Sequence, residues 1–186
     1  MADDSFPRLV SLACHDLRTP LATVYGFART LTRTEELDER SARFIGMIEE
    51  ASGQMSALLD ELGLAARIEA GRWEPSLLEA DTLDLARSDD ERVGVTGDGT
   101  TIETDVDAVR RSLSALAIAA VRHGPVDHVD WAVDGRQLVL SPVTEQAGRV
   151  VTGVEQRDLG SLVARLVLTE LGGSLELDGT ALHVRL

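Results

Sequence analysis

Phe44, Ile48, Ala51, Met55, Leu58, Leu62 and Ala65 fall at strictly alternating steps of four and three residues, the spacing of a helical bundle seam. A β-strand cannot use this period, because its side chains change face at every residue. Val10, Cys14, Leu17, Leu21, Val24, Ala28 and Leu31 keep the same rhythm upstream, and from about Asp4 to Arg72 the only prolines are Pro7 and Pro20. Two long helices are expected, with Ile45, Leu59 and Ala66 widening the second stripe. The polar stretch 32–39 links them and offers Thr34 or Asp38 as a helix cap. Helices joined by so short a link form an antiparallel hairpin. Two helices alone cannot cover both apolar faces. Pairing two copies into a four-helix bundle would bury them, so a homodimer is expected; the alternative is that the second half of the chain covers the stripe.

After Gly71-Arg72-Trp73-Glu74-Pro75 the helical period stops, which places a domain boundary there, with a helical hairpin over 1–72 and a second domain over 73–186. Residues 130–140 and 174–184 alternate apolar and polar around Asp134-Gly135 and Asp178-Gly179, and read as two β-hairpins. Helices are expected from about Asp105 to Arg122 and from about Asp158 to Leu171, the second stopped by Gly172-Gly173. The whole is therefore α+β: a hairpin followed by a sheet with helices on one face.

Charge narrows the function. The formal net charge is −14, all basic side chains are arginine, and such a field repels nucleic-acid phosphates. The single cysteine, Cys14, excludes an internal disulfide and any multi-cysteine zinc site. No apolar run is long enough for a membrane helix, and Met1–Arg8 lacks the pattern of a signal peptide, so a soluble cytoplasmic protein without membrane or nucleic-acid partners is expected.

The informative segment is His15-Asp16-Leu17-Arg18-Thr19-Pro20-Leu21, inside the first helix. At about 100° per residue, His15 and Thr19 turn away from the apolar stripe and stand one turn apart. A lone histidine is usually structural, but its neighbours here suit chemistry. An imidazole attacks phosphorus through one ring nitrogen; Asp16 can fix the tautomer by accepting a hydrogen bond from the other. Thr19 is placed to position a water beside a bound phosphoryl group. Arg18 suits a phosphate contact or a plain solvated surface, and Pro20 removes one helix hydrogen bond beside the histidine, where a bend is expected. Cys14 is expected to pack. His123, His128 and His183 show no metal-site spacing and read as ordinary surface or sheet residues; Glu35–Glu39 and Asp89–Glu91 read as solvated turns.

This segment resembles the phosphoacceptor box of bacterial sensor histidine kinases, and the resemblance covers roughly the first 70 residues. It implies a dimeric phosphotransfer hairpin in which His15 carries the phosphoryl group, Asp16 assists, and Thr19 supports dephosphorylation of a response regulator. In those kinases an ATP-binding domain follows, and the second half resembles one faintly. Against that pattern the metal-binding asparagine falls at Ala119 and a second family asparagine at Ala115, neither of which can hold Mg²⁺ or a triphosphate. Leu140–Glu145 stands where the adenine-binding aspartate segment belongs, and only Gln146–Arg157 replaces the flexible lid.

A kept histidine box beside an eroded ATP domain is similar to dimeric histidine phosphotransferases of bacterial phosphorelays. The resemblance implies a phosphoprotein that passes phosphoryl groups between receiver-domain aspartates through His15. It would bind no nucleotide or metal itself, and the partner receiver would supply Mg²⁺. A response-regulator phosphatase and a non-catalytic dimeric adaptor or pseudokinase stand as the alternatives.

Overall fold

The computed structural model describes residues 5–34 and 37–186, and the chain divides into two compact units, Met1–Trp73 and Glu74–Leu186. The first holds two helices, α1 (Ser5–Thr34) and α2 (Glu39–Glu69). Asp38 is the cap of α2: its backbone is extended and its carboxylate accepts the backbone N–H groups of Ser41 and Arg40. Those bonds, with the Ser41 hydroxyl, hold the Asp38 carboxyl below its usual range. Asp4, Glu35, Glu36 and the side chain of Thr34 lie outside the described residues.

Arg18 bridges to Asp60 at 2.7 Å, and Cys14 lies beside Gly63, its Cβ 3.9 Å from where a Cβ there would sit. Moving back along α1 thus moves forward along α2, which makes the pair antiparallel. The contact between the helices is built from small side chains. Cys14 and Ala28 of α1 are buried, as are Ser52, Gly63 and Ala66 of α2, with Leu21, Ile45 and Leu59 half-buried.

This differs from the seam expected on α2. Ile45, Leu59 and Ala66, expected only at its margin, belong to the contact stripe, while Phe44, Ile48, Met55, Leu58 and Leu62 remain 38–51% exposed, and so do Leu17, Val24 and Leu31 of α1 at 39–55%. On each helix the exposed stripe lies roughly a quarter turn from the contact stripe, in the same rotational sense seen from that helix's N-terminus. In an antiparallel pair, equal rotations carry both stripes to one side. The hairpin therefore presents one continuous apolar face.

The second unit has a five-stranded sheet in the order β2-β4-β5-β7-β6, formed by β2 (Val93–Gly99), β4 (Val129–Gly135), β5 (Gln137–Ser141), β6 (Ser174–Asp178) and β7 (Ala181–Arg185). Strands β2 and β4 are parallel and the other pairings antiparallel. The short helix α3 (Thr82–Ala86) lies between β1 (Leu77–Asp81) and β2, and the crossover between β2 and β4 carries β3 (Thr101–Asp105), which pairs with β1, and the long helix α4 (Val106–His123). Val129, Trp131, Val133, Leu138, Leu140, Leu182 and Val184 point to one face and are buried, while Asp130, Asp134 and His183 point to the other. The buried face packs against α4 and α6 (Leu159–Glu170) around Leu113, Leu116 and Leu168. Asp105 caps α4 and Asp158 caps α6.

Both hairpin turns sit one residue later than expected. Asp134 pairs with Gln137 and Asp178 with Ala181, so the turn residues are Gly135-Arg136 and Gly179-Thr180. Only the glycines have positive φ, 58° and 57°. That is the pattern of the turn type with glycine first, which suits the twist of the flanking strands.

Candidate functional site

His15 stands on α1 with its side chain 77% exposed. Its Nδ1 lies 3.2 Å from Oδ1 of Asp16. A carboxylate only accepts, so in the neutral imidazole this contact puts the proton on Nδ1 and leaves the Nε2 lone pair free. Arg18, Thr19, Ala22 and Thr23 line one open groove with His15. Thr19 is exposed, and its backbone carbonyl accepts the Thr23 hydroxyl at 3.2 Å. Arg18 is engaged with Asp60, each about half exposed. An ion pair so placed contributes at most about 1 kcal/mol, so Arg18 exchanges partners at little cost. Pro20 lies apart from the groove, on the side of the helix with Leu17 and Val24, and α1 continues unbroken through it. The hairpin's apolar face and His15 point to opposite sides, because His15 is rotated the other way from the contact stripe.

Of the residues singled out in the second unit, Ala119 is fully buried within the core and Ala115 packs against it. Neither carries an oxygen or nitrogen on its side chain. In the stretch that stands in place of the kinases' lid, residues Glu145–Val151 form a short helix, α5, capped by Thr144. Ala147, Gly148, Val150 and Val151 are buried in it, and a Cβ at Gly148 would collide with the Leu177 side chain.

One polar cluster here has no local signature in the sequence. Asp158, its side chain 6% exposed, accepts the Ser161 N–H on Oδ1 at 2.9 Å, and its Oδ2 lies 3.0 Å from Arg122 and 3.1 Å from His123. His123 is thus a half-buried partner that ties the end of α4 to the start of α6, in contrast to the surface role expected of it. His123 and Asp158 stand 35 residues apart in sequence, and no local spacing announces the contact. His128 pairs with Asp130 on the surface at 3.2 Å. Among the described residues no cluster of His, Cys, Asp or Glu is arranged to hold a metal ion, and no helix is long and apolar enough to cross a membrane.

Residues 8–71 match the family model of the His Kinase A (phospho-acceptor) domain. The sensor protein KdpD of Mycobacterium tuberculosis is 28% identical over 216 residues, spanning 96% of this chain and 25% of KdpD. The phosphate regulon sensor protein PhoR of Pseudomonas aeruginosa is 25% identical, spanning 93% of this chain and 42% of PhoR. The chain thus spans less than half the length of either relative. Among solved structures, full-length ShkA in complex with AMPPNP superposes with a TM-score of 0.68 at 22% identity, over 96% of this chain and 44% of ShkA. The chain is histidine-kinase-like: a HisKA hairpin followed by an α/β unit with the fold of the kinases' ATPase domain.

Proposed function

We propose that this chain works in two-component signalling as a homodimeric histidine phosphotransferase, taking a phosphoryl group from one receiver-domain aspartate onto His15 and handing it to another without using ATP. The observation that carries the reading is the exposed imidazole of His15, its Nδ1 engaged by Asp16 and its Nε2 open to a groove lined by Arg18 and Thr19. In the transfer step the Nε2 lone pair attacks the phosphorus of an aspartyl phosphate. The N–P bond forms, the bond from phosphorus to the acyl oxygen breaks, and the carboxylate leaves with that electron pair. Asp16 holds the Nδ1 proton and stabilises the positive ring as it develops. Arg18, released from Asp60, neutralises charge on the moving phosphoryl oxygens. The reverse sequence delivers the group to the next aspartate. Mg²⁺ at a receiver's own acidic site would supply charge neutralisation there.

Dimerisation through the continuous apolar face is part of the proposal. It would bury Leu17, Val24, Phe44, Met55 and Leu58 with their symmetry mates and leave His15 outward on the opposite side. The ATPase-like unit does not fit a nucleotide. A buried Ala119 offers no metal ligand, and packed α5 stands in place of a mobile lid. Without ligand and lid, a triphosphate has neither charge neutralisation nor positioning.

The test is transfer of label from a phosphorylated receiver domain. An acid-labile adduct on wild type that is absent from His15→Ala supports the proposal, and equal labelling of both removes it. Thr19, one turn from His15 in the same groove, favours a second reading as a phosphatase of response regulators. Thr19→Ala would then slow dephosphorylation of the regulator while phosphohistidine still forms.

A further inference from the structure

The side of the hairpin that carries His15 also carries a cation from the other helix, Arg67, which takes no part in the groove beside His15. Arg67 lies in the last turn of α2 and is exposed. It follows Asp60 by seven residues, nearly two full turns, so the two share one side of α2, and Asp60 reaches Arg18 on the His15 side of α1. Two contacts fix its height. Arg18 meets Asp60 and Cys14 lies beside Gly63, which sets the Arg67 backbone level with Ser11. That is about 6 Å along α1 from His15, at ~1.5 Å per residue. The guanidinium covers most of the gap. Its Nη1 folds back to 3.7 Å from where a Cβ of Gly63 would sit, a point 3.9 Å from Cβ of Cys14, the residue before His15.

A cation in the last turn of a helix ordinarily serves the free carbonyls at that end. This one points the opposite way. No ion pair or hydrogen bond joins Arg67 to another described residue, in contrast to Arg18, which Asp60 holds at 2.7 Å. Between Asp60 and Arg67 this side of α2 presents Gly63 and Leu64, neither of which competes for the charge. A second unmet group stands at the same height: the Ser11 hydroxyl, one turn before His15, is buried without a hydrogen-bond partner. The groove with Arg18 and Thr19 runs from His15 toward the end of α1, and Arg67 lies beyond the ring in the other direction. His15 thus stands between an arginine that is engaged and one that is not.

We propose that Arg67 is a further catalytic residue of this site, its guanidinium donating hydrogen bonds to the non-bridging oxygens of a phosphoryl group on His15. The inference rests on the phosphotransfer reading and adds to it a residue from the second helix. Arg67 exchanges no proton and forms no covalent bond. It holds the oxygens while Nε2 bonds to phosphorus and the bond to the acyl oxygen of the donor breaks. In a chain of net charge −14, an unpaired guanidinium receives that negative charge without giving up a partner, whereas Arg18 must first leave Asp60.

The experiment labels the full chain in two ways: from a receiver domain phosphorylated with acetyl phosphate, and directly with phosphoramidate, which phosphorylates histidine without a protein donor. His15→Ala identifies the signal that belongs to His15. In the first arm Arg67→Gln is expected to lower kcat for transfer about tenfold to a hundredfold, with KM for the receiver unchanged. Arg67→Lys should restore part of the loss, and both variants should melt at the wild-type temperature. In the second arm, phosphorus NMR follows ionisation of the phosphoryl group on His15, which is expected to titrate at a pH about one unit lower in wild type than in Arg67→Gln. A titration that is the same in both would overturn the inference, and so would transfer by Arg67→Gln at the wild-type rate. No transfer from the receiver to wild-type His15, with the titration still lower in wild type, would uphold the contact of Arg67 with the phosphoryl group and defeat the transfer reading.

Discussion

Replacing Asp158 tests how firmly the end of α4 and the start of α6 are tied together in the second unit. The carboxylate does three things: it caps α6 through the Ser161 N–H, and it accepts from His123 and Arg122. A lost cap costs about 1 kcal/mol, and a hydrogen bond from the half-buried His123 about another 1 kcal/mol. Arg122 is 64% exposed, so its share falls below about 1 kcal/mol after solvent screening. Asp158→Ala should therefore cost the unit about 2–3 kcal/mol, a drop of roughly 10 °C in melting temperature for a domain of this size. Asp158→Asn keeps an oxygen for the cap and loses the two side-chain partners, so its cost should be about half. The assay is urea unfolding of the full chain in a Trp73→Phe background, where fully buried Trp131 is the sole tryptophan and reports this unit alone. Alanine and wild type agreeing within about 0.5 kcal/mol would refute the additive reasoning. Asparagine as damaging as alanine would show that the ion pairs, and not the cap, hold α6.

Leu58→Glu places a carboxylate in the middle of the exposed seam; with an unpaired buried charge costing about 3 kcal/mol or more, dimer dissociation in sedimentation equilibrium should rise about a hundredfold, while a monomer-dimer balance identical to wild type would count against the seam. Ala119→Asn should destabilise the second unit by about 1–3 kcal/mol, since the amide enters the core without a partner, and calorimetry with Mg-ATP should show no binding before or after the change. Clear micromolar binding to wild type would contradict the reading of that unit. Hydrogen bonds and charge from Arg92 lower the Asp90 pKa to about 2. Because the folded value lies below the unfolded one near 3.8, the stabilisation is full above about pH 4 and disappears as pH falls toward 2. Asp90→Asn should flatten that part of the acid-unfolding curve, and an unaltered curve would rule the pair out as its source.

The hairpin was legible before any coordinates because its information is local. A period of three and a half residues specifies a helix wherever it occurs, Asp38 is one of the two caps its side-chain chemistry offers beside Thr34, and an imidazole beside a carboxylate reads from two adjacent letters. The two β-hairpins were legible for the same reason, although their turns were placed one residue early: the sequence marks the glycine, while the pairing register decides which residues flank it. Strands β1, β2 and β3 and the short helix α5 were not legible. Segments such as Val93–Gly99 carry too few alternating apolar residues, and β2 is a strand because it pairs in parallel with β4 across the whole of β3 and α4.

What the sequence determined by itself is whatever depends on neighbours along the chain: the helical period, the exposure of His15, the lack of polar side-chain atoms at Ala115 and Ala119. Tertiary structure alone decided which of two overlapping stripes closes the hairpin. Small residues at Cys14, Ser52, Gly63 and Ala66 let the helices approach, so the larger Phe44, Met55 and Leu58 are turned outward. It also brought His123 to Asp158 across 35 residues. Both outcomes depend on distances between segments far apart in the chain, a quantity that spacing within one segment does not contain.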